Sequence, residues 1–216
     1  MYNRGVDRRR LRALIALLVV ATLPIPLAAG QDARRLIFRA EVSELWLRAS
    51  SSYAKNKRPG DCVEVALPGR LNRPPLPVVL IERRAADWSA PERALASIRS
   101  ANTAGDREWI LQNFPPDEQA HIRPLLDDAA LVKRNQEHYR AIHGLEITGS
   151  AELRGYTVLL TREELGEGRT RTVPVTLAKT ASGWKQTNAL SADETFDVVW
   201  AALRAGKIRG GTLGSC

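Results

Sequence analysis

Residues 145–189 read LEITGSAELRGYTVLLTREELGEGRTRTVPVTLAKTASGWKQTNA, and this segment sets the class of the fold. Polar and apolar residues alternate along most of it, and short turns that contain glycine interrupt the alternation. A period of two residues is typical of β-strands in an antiparallel sheet. The pattern predicts four consecutive strands, namely Glu146–Ala151, Gly155–Arg162, Thr170–Lys179 and Trp184–Ala189.

The residues before this segment have helical spacing instead. Ser89, Pro91 and Glu92 supply a capping hydroxyl, a proline in the first turn and a glutamate three residues after the serine. These are signals for the start of a helix. The helix is predicted to end near Gly105, and a second, short helix is predicted around Trp109.

A third helix is predicted from Pro115 toward Tyr139, with a kink or a restart at Pro124. After the strands, Asp193 is predicted to cap a last helix with Phe196 on its apolar stripe. Helices followed by antiparallel strands predict an α+β domain in which helices pack on one face of a curved sheet.

The residues before Ser89 predict a small β-rich segment. Residues 36–48 fit a strand by alternation and a helix by composition, and both interpretations stay open here. Residues 50–61 are rich in turn formers, and Val63–Leu67 alternate as in a strand. Residues 72–77 contain three prolines, which favours a loop or an edge segment, and residues 78–81 predict a short strand.

The first thirty residues have the features of a secretory signal. Four arginines within residues 8–12 precede an apolar run, Ala13–Ala29, which ends in small residues before Gln31. A positive flank, a short apolar core and small residues at the exit are typical of a cleaved leader. Because the run is short and contains two prolines, we favour cleavage near Gly30 over retention as an anchor. The predicted location is periplasmic or secreted.

Removal of this leader changes the charge balance. The whole chain has 32 Lys+Arg and 24 Asp+Glu; the leader takes five arginines and one aspartate, which leaves 27 against 23, a net charge of +4. This modest excess disfavours nucleic acid as a partner. Lys55, Lys57 and Arg58 predict either contact with an anionic surface or a solvated loop.

Cysteine and histidine usage limits the chemistry of the chain. Cys62 and Cys216 are the only cysteines, and in an oxidising compartment they either form a disulfide or remain two distant thiols. No metal-ligand spacing and no glycine-rich phosphate loop is present in the sequence. We therefore predict neither a metal nor a cofactor.

The chain divides into four parts on these grounds. Residues 1–30 are the signal peptide, and residues 31–88 form the basic, β-rich segment. Residues 89–209 form the α+β domain with its C-terminal helix, and residues 210–216 form a flexible tail.

Three stretches resemble the NTF2-like domains, which are also called SnoaL-like or ketosteroid-isomerase-like. Pro91–Asp106 (PERALASIRSANTAGD) resembles the opening helix of the family with its Gly-Asp turn, and Trp109–Phe114 (WILQNF) resembles its second helix. Thr180–Lys185 (TASGWK) is similar to the last hairpin of the family. The resemblance covers residues 89–190 and implies a cone of helices on a curved sheet. It carries over no catalytic residue, and it implies homodimer formation through the sheet as an option.

An enzyme built on such a cone needs an acid or a base inside it. The candidate catalytic residues are His121, Asp127, Asp128, His138 and His143. For each of them, the competing interpretation is a solvated or helix-capping side chain.

Aromatic residues are the candidates for ligand contact. Trp109, Phe114, Tyr139, Tyr156 and Trp184 either line a cavity or fill the space between helices and sheet. Taken together, the sequence predicts an exported, non-catalytic binding or interaction module for a small apolar ligand or an envelope protein. The alternatives are a small-molecule isomerase or hydrolase and a homodimeric envelope scaffold.

Overall fold

The computed structural model describes residues 35–46 and 51–214 of the chain. The predicted signal segment, residues 1–30, and Cys216 lie outside the described residues. No helix among the described residues combines the length and the apolar character that crossing a membrane requires.

Strands and helices divide the described residues as follows. The strands are β1 Arg35–Glu41, β2 Cys62–Pro77, β3 Gly144–Leu153, β4 Tyr156–Glu164, β5 Thr170–Thr180, β6 Gly183–Gln186 and β7 Ile208–Gly210. The helices are α1 Ser52–Asn56, α2 Pro91–Ala104, α3 Arg107–Gln112, α4 Pro116–Asp127, α5 Ala129–Arg140 and α6 Glu194–Arg204. The mixture confirms the α+β class.

The seven strands form one antiparallel sheet in the order β6–β5–β4–β3–β2–β1–β7. Strand β2 is long because residues 62–68 pair with β1 and residues 69–77 pair with β3. Gly69 lies where the strand changes partner, and a Cβ atom there would be 2.4 Å from the Ser150 carbonyl oxygen. A side chain at this position would therefore separate the two strands.

The end of β2 corrects two sequence predictions. Residues 72–77 are part of the strand, although a loop or edge was expected; the strand tolerates their prolines because the register with β3 shifts between Leu71 and Leu76. The strand predicted at residues 78–81 is wrong. Val78 is buried there, but the segment runs toward α2 outside the sheet.

Helices cover both faces of the sheet. Val158, Leu159 and Leu160 in β4 are all 0% exposed. Val158 and Leu160 belong to the apolar cluster that α6 joins, whereas Leu159 belongs to the cluster that α2 joins. Consecutive strand residues point to opposite faces, so α6 and α2 pack on opposite sides. The predicted packing of helices on one face is therefore wrong.

The first helices end where the sequence predicts. Gly105 closes α2 with a φ of 69°, the left-handed conformation that glycine adopts without strain. The Asp106 carboxylate then accepts a hydrogen bond from Trp109 N and caps α3. At the other end of α2 the N-cap is Ala90, and Ser89 makes no capping hydrogen bond to the helix.

The predicted third helix is two helices. Asp128 separates α4 from α5, and its Oδ1 accepts from Ala130 N at 2.9 Å and Leu131 N at 3.1 Å. Pro124 lies inside α4 without ending it. The restart therefore comes from an N-cap aspartate rather than from the proline.

The two ends of the domain meet at one edge of the sheet. Asp193 caps α6 as predicted, by accepting from Thr195 N and Phe196 N. The chain then forms β7, which pairs with β1, although the sequence predicted no strand there.

In the first segment, residues 35–41 form a strand, which resolves the choice between helix and strand for that part of residues 36–48.

The turn-rich residues 50–61 contain one unpredicted helix. Helix α1 begins at Ser52, and Ser51 Oγ accepts from Tyr53 N at 3.2 Å. The helix has five residues, too short for hydrophobic periodicity to reveal it.

Candidate functional site

A cleft of about 620 Å³ opens between the end of α5, the hairpin of β4 and β5, and the last turns of α6. Its lining combines a histidine, a tyrosine, a tryptophan, two arginines and a glutamate with smaller residues. These are His138, Tyr139, Glu163, Thr170, Arg171, Thr172, Val173, Trp200 and Arg204.

The hairpin places a carboxylate opposite a guanidinium at the base of the cleft. Glu163 and Arg171 are direct cross-strand partners. Glu163 is 8% exposed, and Arg171 Nε donates to its Oε2 at 2.8 Å while Arg171 Nη2 contacts the same oxygen. A nearly buried carboxylate with such a partner is held in one position.

The same arginine also binds His138 from α5. Arg171 Nη2 lies 2.9 Å from His138 Nε2. An arginine side chain has donors only, so His138 Nε2 is the acceptor in this contact. The Nε2 lone pair of His138 is therefore engaged within the protein.

A second arginine also interacts electrostatically with Glu163. Arg99 of α2 is 6% exposed, and its guanidinium donates to the carbonyl oxygens of Val78 and Ile142, the latter at 3.1 Å. Burial lowers the pKa of Arg99, and the Glu163 carboxylate opposes this shift. Arginine stays charged even so, and Glu163 thus interacts with two cations.

Tyr139 forms part of the wall beside His138. The two rings meet edge to face at a centroid distance of 5.6 Å. Burial raises the pKa of Tyr139, Glu163 raises it further and Arg171 opposes the rise. The phenol is therefore a neutral hydrogen-bonding group over the physiological pH range.

The opposite wall comes from α6. Thr172 Oγ1 donates to the Leu203 carbonyl oxygen at 3.2 Å and so ties the last turn of α6 to β5. Arg204 follows Leu203, and its Nη2 donates to the Glu44 carbonyl oxygen at 2.9 Å. Trp200, one turn earlier, is 41% exposed at the rim.

Of the five predicted catalytic candidates, only His138 lines the cleft. The side chains of His121, Asp127 and Asp128 are exposed on α4 or at the start of α5. His143 is exposed near the turn at Gly166. The structure therefore does not bring the five residues together, and Asp128 has a capping role.

The five predicted ligand-contacting aromatic residues also occupy separate places. Trp109 and Phe114 are buried together in an apolar cluster that contains Ala101. Tyr156 packs against the cluster of α6, while Tyr139 and Trp184 pack against that of α2. Only Tyr139 lines the cleft, so most of these rings contact the protein's own core.

Sequence reasoning did not single out Glu163, Arg171, Trp200 or Arg204, although one signal was available. The predicted turn Gly166-Glu167-Gly168 is the centre of the hairpin, and counting outward from Glu167 pairs residue 163 with residue 171. Opposite charges at such a pair stabilise the hairpin. No comparable signal connects α6 to this pair, because their contact is purely tertiary.

Cys62 is disulfide-bonded, and Cys216 lies outside the described residues. The tail approaches Cys62 closely: Gly214 N donates at 3.0 Å to Oε2 of Glu64, two residues after Cys62 on β2. The pairing of Cys62 with Cys216 stays a prediction that this proximity favours.

The remaining predicted contacts are surface features. Lys55, Lys57 and Arg58 are exposed in and after α1, and their contact with an anionic surface stays a prediction. Within residues 35–46 and 51–214, no group of three or more His, Cys, Asp or Glu side chains is arranged to hold a metal ion.

No family model and no curated protein matches the chain. Among solved structures, the chain is similar to the solution structure of a SEC-C motif containing protein from Rhodopseudomonas palustris, at 18% identity and a TM-score of 0.34. The alignment covers 48% of this chain and 80% of that chain. A likeness at this level supports no assignment of fold family or function, and the resemblance to NTF2-like domains stays a prediction.

Proposed function

We propose that the protein is an exported, non-catalytic binding module that holds a small molecule in the cleft between α5, the β4–β5 hairpin and α6. The observation that carries this proposal is the state of the cleft's acid and base groups. His138 Nε2 and the Glu163 carboxylate are both bound by Arg171.

These contacts favour binding over catalysis. A general base needs a free lone pair within reach of the substrate. The base with the right chemistry here, His138, already accepts from an arginine, and Glu163 is 8% exposed and interacts with Arg171 and Arg99. Ordered groups around an aromatic rim are instead suited to holding a ligand in one orientation.

We infer export from the predicted signal segment, residues 1–30, and the molecular mass of the mature protein tests this inference. We expect the protein from the periplasm of a bacterial host to begin near Gln31 and to weigh two hydrogens less than its reduced form, because Cys62 and Cys216 are oxidised there. Intact-mass spectrometry with and without reductant measures both. An intact chain that starts at Met1 contradicts export, and alkylation of Cys62 without reductant contradicts the disulfide.

We also propose that residues 89–190 form an NTF2-like cone. Two of the positions that carry the resemblance support it. Gly105 closes α2 in the left-handed conformation, and Gly183 begins β6 directly after the hairpin turn.

The binding function predicts that filling the cleft abolishes ligand uptake. The purified protein is expected to bind 1-naphthoate or naphthalene-1-carboxamide, and Val173→Trp is expected to weaken binding by about tenfold or more because the indole takes the ligand's place. Isothermal titration calorimetry measures the dissociation constants.

Val79→Trp is the matched control, since Val79 is 71% exposed and lies outside the cleft. It adds the same ring without filling the site, so binding is expected to stay unchanged. Failure of the unmodified protein to bind either probe contradicts the proposed function. Hydrolysis of an ester of 1-naphthoate by the unmodified protein, with loss of this activity in His138→Ala, supports the enzyme alternative instead.

A further inference from the structure

We propose that the ligand of this cleft is an organic anion whose flat apolar body lies on Trp200 and whose acidic group is bound by Arg204. The inference rests on the proposed binding function and names the class of ligand. Carboxylates and phosphates share the required chemistry.

The charge around the cleft favours an anion. Arg171 and Arg204 line it, and Arg99 interacts electrostatically with Glu163. Against these three cations stand the Glu163 carboxylate and the C-terminal ends of α5 and α6, which together contribute about one negative charge from the two helix dipoles. The Glu44 carboxylate also attracts Arg204, but Lys207 Nζ lies 3.0 Å from it and balances its charge. The cleft is thus positive by about one charge.

The single carboxylate of the lining is not open to a cationic ligand. Glu163 is 8% exposed and accepts from Arg171, which leaves little of its surface for a ligand. A cation would have to displace Arg171 and to approach Arg204 as well. Both steps cost electrostatic energy.

Arg204 has the free capacity to bind an acidic group. Its guanidinium carries five N–H donors, and Nη2 donates to the Glu44 carbonyl oxygen. That contact anchors the planar group at the end of α6, so the remaining donors are held in place. A carboxylate or phosphate matches such a fork with two parallel hydrogen bonds.

Trp200 supplies the apolar surface next to this fork. Residues 200 and 204 are four apart on α6 and therefore share a face of the helix. The Trp200 ring packs edge to face on Phe196 at a centroid distance of 6.0 Å, yet it is 41% exposed at the rim. An indole fixed on one side and open on the other is suited to stacking with a flat ligand.

The test compares two probes of equal shape that differ in charge. We expect calorimetry to show 1-naphthoate binding about tenfold more tightly than naphthalene-1-carboxamide, since only the carboxylate forms a bidentate ion pair with Arg204. Arg204→Gln is expected to remove this preference, because it weakens naphthoate binding far more than carboxamide binding. Trp200→Leu is expected to weaken both probes alike.

Arg134→Gln is the matched control, because Arg134 is an exposed helix arginine outside the cleft. It lowers the net charge equally and is expected to leave the preference unchanged. If the carboxamide binds as tightly as the acid, or if Arg204→Gln leaves naphthoate binding unchanged, the anion inference is overturned while the binding function stands. If neither probe binds, the proposed function itself fails.

Discussion

Arg99→Met is expected to lower the free energy of unfolding by about 2–4 kcal/mol, because two buried backbone acceptors lose their donor. Arg99 is 6% exposed and donates to the carbonyl oxygens of Val78 and Ile142. Methionine fills a similar volume but donates no hydrogen bond, so both carbonyl groups lose their side-chain donor. Glu163 keeps its direct partner Arg171 and loses only the electrostatic attraction of Arg99.

Burial of the Arg99 charge is itself costly, as its lowered pKa indicates. Replacing both partners of a buried pair with apolar residues is often harmless for that reason. Here the two carbonyl acceptors stay in place, and the loss of their hydrogen bonds decides the sign of the change. Urea unfolding followed by circular dichroism measures the change.

Two further variants make the Arg99 test specific. Arg99→Lys keeps the charge but loses the planar fork, so an intermediate loss of stability is expected. Arg134→Met removes an exposed helix arginine and is expected to change stability by less than about 0.5 kcal/mol. Equal stability of Arg99→Met and the unmodified protein shows that Arg99 does not anchor α2 to the sheet.

Gly183→Ala is expected to destabilise the protein by roughly 2–4 kcal/mol, from backbone strain and a lost hydrogen bond. Gly183 has a φ of 100°, and an added Cβ would lie 2.4 Å from the Trp88 carbonyl oxygen. That oxygen accepts from Trp184 N at 2.8 Å. The methyl group therefore forces apart the contact that joins β6 to the residues before α2.

Trp88 has little freedom to move away. Its Nε1 donates to Asn113 Oδ1 at 2.8 Å, and the ammonium group of Lys185 lies 4.0 Å from the ring centroid. Lys185 is 5% exposed, and burial lowers its pKa. Displacing Trp88 would therefore uncover a buried cation as well as break a hydrogen bond.

Gly155→Ala separates the clash from the backbone strain. Gly155 also has a positive φ, 83°, but a Cβ there meets nothing within 4 Å. It is expected to cost only about 1 kcal/mol. Thermal unfolding of the two variants under the same conditions measures the difference. If they are equally destabilised, the contact between Gly183 and Trp88 contributes nothing.

Local signals were sufficient for much of the domain. The four strands after Leu145, the end of α2 at Gly105 and the cap at Asp193 depend on interactions within a few residues of each other in the chain. Alternation and capping are local properties, so one sequence reveals them. The boundary at Asp128 was missed because proline competed with aspartate as the signal for a helix break.

Local sequence signals did not predict the pairing of strands that are distant in the chain. The prolines in residues 72–77 argue against a strand locally, yet β3 pairs with Leu71 before Pro74 and Pro75 and, in a shifted register, with Leu76 after them. Strand β7 is three residues long and forms because β1 has an open edge. Neither partner is visible in the neighbouring sequence.

The candidate site depends partly on local signals and partly on long-range packing. The pairing of Glu163 with Arg171 is implicit in the amino-acid order, because a hairpin centred on Glu167 aligns them. Trp200 and Arg204 line the same cleft only because α6 packs on β5, with Thr172 bound to Leu203. Hairpin register follows from a short turn, whereas the choice of a distant helix depends on burying apolar area over the whole sheet. The chain's local order thus determines the strands and the charge pair, and tertiary packing turns them into a cleft.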